Sequence, residues 1–195
     1  MRKTNVKGYT DKQLIDKVKS LPNFTHLPQE YWILGVQSQE DEYNVFDDKF
    51  YLFRGDEFIT VTSGTTNPGE FGLLNYHRYG QSGTFVIKSN YWQYDLWQFG
   101  YHRGRMPALK QYKPVVGYRD KNRNRKSEEI GSEVVGYFGI NFHTISYALK
   151  AGFWRRLIGG WSSGCMVVND VTDYLKILDF VKNQQTISFC LIKEF

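Results

Sequence analysis

Apolar residues recur at two different periods along this chain, and the change of period marks its elements. Leu14, Ile15, Val18 and Leu21 follow one another at helical intervals and share one face. Thr10 and Gln13 stand just ahead of that face in the spacing of a capping box, and Pro22 closes the segment. A short amphipathic helix is expected there, with an apolar face that must dock on something else. After Pro28 the period shortens, and aromatic and β-branched residues take over. Residues 31–36, 50–53 and 58–62 read as strands, with Arg54, Gly55, Asp56 and Glu57 as the hairpin turn between the last two.

Thr65, Thr66, Asn67, Pro68 and Gly69 form a strong breaker, after which residues 70–74, 84–88 and 115–118 read as strands. Residues 91–101 are crowded with aromatics and lack a clean period, which fits either a packed loop or a substrate groove. Strands at 134–142 and 166–168 flank His143. Asn169 or Asp170 then caps a helix carrying Val171, Tyr174, Leu175, Leu178 and Val181 at helical spacing, and residues 186–192 form the last strand. The pattern predicts a mainly β fold with one helix in front and one near the end. Residues 1–30 read as an N-terminal helical appendage and residues 31–195 as the β-domain.

The 195 residues suit one domain, and 41% hydrophobic with 17% aromatic content is enough for a substantial core. The net charge of +5 comes largely from the N-terminal Lys/Arg residues and from the run between Arg119 and Lys126, both read as solvated segments. Such basicity favours an anionic polymer, either nucleic acid or cell-wall material. No nucleic-acid-binding motif or strongly basic stripe accompanies it, so nucleic acid is not the expected partner. The basic N-terminus is followed by no apolar stretch, so no export signal is read and synthesis in the cytosol is expected. No segment approaches the roughly 18 apolar residues of a membrane span.

Two cysteines do not make a disulfide scaffold, although a Cys165–Cys190 bridge stays open. Asp120, Asn122 and Asn124 have the spacing of a calcium loop. The glycine that should follow is missing, however, and Gly131 stands at the twelfth position in place of glutamate. A polar turn is expected there, with no metal and no cofactor anywhere in the chain.

The candidate chemistry lies between Gly139 and Cys165. His143 ends an apolar run that starts at Gly139, and Cys165 follows Gly164 in the Ser-rich turn of Trp161, Ser162 and Ser163. A thiol is mostly protonated near pH 7, and a neighbouring imidazole can hold it as thiolate. Gly164 permits a tight turn and lets the N–H groups of Gly164 and Cys165 approach a developing oxyanion. Ser162 and Ser163 are candidates to orient His143 or to bind substrate, and Trp161, His102 and Tyr118 are candidates for the groove. Cys190, within the apolar stretch 187–192, has neither a glycine nor a histidine nearby and reads as core.

This order of elements resembles the catalytic domain of the L,D-transpeptidases, over roughly residues 46–195. The strand from Phe58 to Gly64, followed by Thr66, Asn67, Pro68, Gly69 and Phe71, is similar to that family's strand and its Thr-Pro-x-Gly-x-Phe segment. The run from Gly139 to His143 is similar to the strand carrying the family histidine. Ser162, Ser163, Gly164 and Cys165 are similar to its nucleophile loop. Thr144 stands where the family has glycine after the histidine, Ser163 where it has histidine, and Met166, Val167 and Val168 where an arginine follows the cysteine.

The resemblance implies an L,D-transpeptidase-like β-sandwich or barrel with Cys165 as nucleophile and His143 as base. It further implies stem-peptide cleavage or transpeptidation of peptidoglycan through a thioester. The variant resembles a divergent group of bacteriophages and gut bacteria, which implies virion or lysis partners and action at the bacterial cell wall. A catalytically inactive wall-binding or virion module on the same fold is the competing expectation, since fold alone does not carry activity.

Overall fold

In the computed structural model, which describes residue 4 and residues 6–195, the first helix begins where the sequence places it. Thr10 Oγ1 accepts the Gln13 N–H at 3.2 Å, and Gln13 Oε1 accepts the Thr10 N–H at 2.8 Å. Met1, Arg2, Lys3 and Asn5 lie outside the described residues, and with them part of the basic N-terminus read as a solvated tail without an export signal.

In chain order the elements are α1 (Asp11–Lys19), β1 (Tyr31–Gln37), β2 (Asp48–Arg54), β3 (Glu57–Thr65), α2 (Glu70–Asn75), β4 (Thr84–Ile87), β5 (Tyr91–His102), β6 (Met106–Gln111), β7 (Val115–Asp120), β8 (Val134–Gly136), β9 (Phe142–Thr144), β10 (Met166–Val168), α3 (Val171–Val181) and β11 (Ile187–Lys193). The fold is mainly β. Eight strands close a barrel in the order β1-β11-β5-β6-β9-β10-β3-β2, and β4, β7 and β8 form a separate three-stranded sheet. Most neighbours run antiparallel; β1 with β11 and β9 with β10 run parallel.

Alternation along the strands explains two apolar layers. Ile33, Phe50, Leu52, Phe189 and Leu191 join the main core with Trp97, Phe142 and the inner face of α3. Their neighbours Trp32, Leu34, Tyr51, Phe53, Cys190 and Ile192 face the other way and are covered by Leu14, Ile15 and Val18 of α1. Strands buried on both faces lose the polar half of the alternation, which is why β1, β2 and β11 read as continuous apolar runs.

Three expectations need correction. Residues 70–74 form helix α2, not a strand; six residues show no period, and the segment is set by Gly69 at its N-cap and by the Phe71 N–H bonded to Gly159 O at 3.3 Å. Residues 91–101 are not a loop but belong to the twelve-residue strand β5, whose residues Gln98, Phe99, Gly100 and Tyr101 line a shallow cavity. Asp95, at φ 52°, and a register shift against β11 change which side chains face which core, so no single period survives. The run 134–142 is split: β8 joins the small sheet, while β9 joins the barrel with His143 at its middle, not at a strand end. Strand β6 went unread because Pro107 and its lack of β-branched residues hide it. The calcium-like loop folds as a polar turn: Asp120 Oδ1 accepts from Asn122 N–H, Asn122 Oδ1 from Asn124 N–H, and Asn124 Oδ1 from Lys126 N–H.

Candidate active site

Strand β9 carries His143 between β6 and β10, held by Phe142, whose ring packs edge-on against Phe50 at 5.2 Å and also meets Trp97 and Tyr174. His143 is 1% exposed. Its Nδ1 lies 2.8 Å from Thr144 O, and a carbonyl only accepts, so Nδ1 carries the ring proton. The lone pair of the neutral ring is then on Nε2, which is buried without a hydrogen-bond partner among the described residues.

Cys165 sits one strand away, at the entrance to β10. Gly164 before it has φ 125°, and a Cβ there would lie 2.7 Å from Phe85 O, so only glycine fits this turn beside β4. Ser162, fully buried, ties the turn: its Oγ accepts the Gly164 N–H at 3.1 Å and donates to Cys165 O at 2.8 Å. The Pro68–Gly69 segment braces the same loop through Gly69 N–H to Ser162 O at 3.0 Å. The Cys165 thiol donates to Gly139 O and accepts the Asn141 N–H, both at 3.5 Å.

His102, at the end of β5, completes the group. Its ring stacks on His143 with centroids 4.2 Å apart and planes inclined by 28°. Cys165 Sγ, a ring nitrogen of His143 and a ring nitrogen of His102 lie within 4.8 Å of one another. Cys165 and His102 line a cavity of about 650 Å³ together with Trp161, Ser163, Asn141 and Arg103, and His143 lies buried behind them. Arg103 and Gly104 are the two central residues of the β5–β6 turn, both left-handed at φ 50° and 68°.

Burial governs the protonation states. It pushes the Cys165 thiol up to about 11, opposed by the Asn141 N–H and by Arg103. It pulls His143 down to about 3, helped by His102. His102 is lowered to about 4 by burial and then by Arg103. The thiol and both imidazoles are therefore neutral at rest, in contrast to the ion pair expected from sequence, because neither charged form is solvated here.

Of the residues singled out in the sequence, Cys165, His143, Ser163, Trp161 and His102 come together here. Two expected roles change. Ser162 is spent on the turn and does not line the cavity, and the Gly164 N–H expected to hold an oxyanion is already bonded to it. Tyr118 is on β7 of the small sheet, its hydroxyl donating to Glu133 Oε1 at 3.1 Å, away from the cavity lining. Asn141 and Arg103 were missed. The usable signals were a polar residue in phase with His143 along an apolar run and an x-Gly hairpin turn, which is visible only once β5 is read as a strand.

His102, His143 and Cys165 also have the chemistry of a His₂Cys metal site. His143 fits, since its second nitrogen donates to a carbonyl. His102 does not fit through Nε2: a ligand there leaves the proton on Nδ1, facing the Asn141 side-chain amide at 3.0 Å, which is itself a donor. No helix among the described residues is long and apolar enough to cross a membrane. No protein-family model, curated protein or solved structure matches the chain.

Proposed function

We propose that this is a cysteine-dependent acyl-transfer enzyme of the L,D-transpeptidase kind, acting on peptidoglycan stem peptides. The carrying observation is the buried Nε2 of His143, unpartnered among the described residues, on a ring with a nitrogen within 4.8 Å of the Cys165 thiol, which itself lines the cavity. A buried lone pair without a donor costs stability, and a thiol proton transferred during attack removes that cost. With both groups neutral at rest, proton transfer from Sγ to Nε2 accompanies C–S bond formation and does not precede it. His143 then returns the proton to the leaving amine, and the thioester passes to water or to a second amine. Hydrolysis is the favoured outcome, with Ser163 where the resembled family has histidine. Action at the bacterial cell wall with virion or lysis partners belongs to the same reading.

The inactive wall-binding module is favoured by one observation, the thiol held near 11 with an imidazole held near 3. Peptidoglycan fragments separate the two. The wild type is expected to release or exchange a stem-peptide residue, Cys165→Ala to abolish this while still binding, and His143→Ala to be nearly as damaging. Equal behaviour of wild type and Cys165→Ala on sacculi and on isolated stems replaces the enzyme with a binding module. Added amine acceptors then tell release from cross-linking.

A further inference from the structure

The stacked histidines are held in opposite tautomers, and the difference assigns each a separate task. Gln111 N–H donates to Asn141 Oδ1 at 2.9 Å, which fixes the orientation of the Asn141 amide. Asn141 Nδ2 therefore faces His102, and His102 Nδ1 accepts from it at 3.0 Å. A neutral ring that accepts at Nδ1 carries its proton on Nε2. His143 is the mirror case, with its proton on Nδ1 given to Thr144 O and its lone pair on Nε2. One ring is a base toward the thiol and the other a donor.

The cysteine loop has lost one of its two expected donors, because Ser162 Oγ has already taken the Gly164 N–H. We propose that His102 is a catalytic residue, the side-chain half of the oxyanion hole, and that Asn141 is the positioning residue that sets its tautomer. This rests on the acyl-transfer reading of Cys165 but not on peptidoglycan as the substrate. As Sγ attacks a carbonyl carbon, the thiol proton goes to His143 Nε2, the C–S bond forms, and the π pair moves onto oxygen. The Nε2–H of His102 holds that oxygen. Collapse restores the C=O and breaks the bond to the leaving amine or alkoxide, which takes the proton back from His143. A ring nitrogen of His102 lies within 4.8 Å of Sγ, and an oxyanion donor works at about 2.7–3.1 Å from an oxygen that is one carbon removed from Sγ, so the His102 ring stands beside the place where that oxygen forms. A neutral imidazole suits this task, since it stabilises the oxyanion without becoming the stronger acid that protonates it.

Two probes of Cys165 divide the question. p-Nitrophenyl acetate acylates through a tetrahedral oxyanion, whereas iodoacetamide alkylates by displacement with none. Both rates are read at Cys165 by mass spectrometry of intact, folded protein. His102→Leu is expected to lower the ratio of acylation to alkylation about 100- to 1000-fold, the usual loss for one oxyanion donor. Asn141→Asp is expected to lower it comparably, because a carboxylate accepts only and forces the proton onto Nδ1. His102→Gln, which keeps a neutral donor, is expected to recover part of it. The wild-type tautomer is read independently from the ¹⁵N shifts of the His102 ring, which needs no variant to fold. An unchanged ratio in His102→Leu, a His102 proton on Nδ1, or a wild-type Cys165 inert to both reagents overturns the proposal. A normal ratio effect without stem-peptide turnover leaves it standing and removes the peptidoglycan substrate instead.

Discussion

The thiol of Cys165 and the imidazole of His143 are shifted in opposite directions by one cause, because burial penalises the thiolate of the first and the imidazolium of the second. A reagent that needs thiolate then meets a fraction that grows with pH. Labelling of Cys165 is expected to accelerate by about tenfold per pH unit from pH 7 to 10, with no plateau below about 11. A plateau at neutral pH would mean that the imidazole holds the thiolate after all. Cys190 is fully buried and its thiol is also raised by burial, so it stays unlabelled until the protein unfolds. The contrast comes from access, not from a cationic partner. Gly164 is the other decisive residue. Gly164→Ala places a side chain at φ 125° against Phe85 O, and a loss of about 1–3 kcal/mol in thermal or urea unfolding is expected, with Cys165 displaced.

Elements were legible where one chemical rule dominated and illegible where two competed. The capping box at Thr10, the Asp170-capped α3 and strands β1, β4, β7, β10 and β11 all carry a local signal that tertiary structure leaves intact. β5 carries a bulge that changes its phase, α2 is shorter than two turns, and β8 and β9 share one apolar run that divides between sheets. The site inherits this division. Cys165 and His143 lie in readable segments, but their neighbours depend on β5 and β6, so His102 was read as groove, Asn141 was missed and Tyr118 was misplaced. One contact ties the unread strand to the site: Trp97 Nε1–H donates to Ile140 O at 2.8 Å and so fixes the segment whose Gly139 and Asn141 hold the thiol. Trp97→Phe leaves that carbonyl buried without its donor. It is expected to cost about 1–3 kcal/mol and to change the Cys165 labelling rate, whereas a substitution confined to core volume would change stability alone.

At the scale of the whole molecule, the barrel closes on its narrowest pairing beside the site. β6 meets β9 at Leu109 opposite Phe142, and Tyr174 of α3 bridges the same seam, its hydroxyl donating to Pro107 O at 2.7 Å with Phe142 O 3.4 Å away. Buried acids of this kind set the pH range over which the fold survives. Burial raises Cys165 to about 11 and, with the charge of Tyr9 adding to it, Tyr51 to about 12; it raises Tyr174 and Cys190 in the same direction. For each, the native state keeps a proton that the unfolded chain releases near 9.0 for a thiol and 10.0 for a phenol. The unfolded state therefore binds fewer protons in that window, and stability falls as pH rises. The contribution is complete below the unfolded values and is lost as pH climbs through the folded ones. Lys49, lowered by burial, works in the opposite sense below its ordinary 10.5, while Tyr43, Tyr118 and Lys88, all raised, add to the decline. The urea midpoint is accordingly expected to decline from pH 8.5 to 10.5. In Cys165→Ala combined with Cys190→Ala the decline is expected to be shallower above pH 9, where the thiols act, while the tyrosine contribution beyond pH 10 remains. A midpoint that holds or rises across this range, or an unchanged slope in the double variant, would show that these thiols are not the proton reservoir of the folded state.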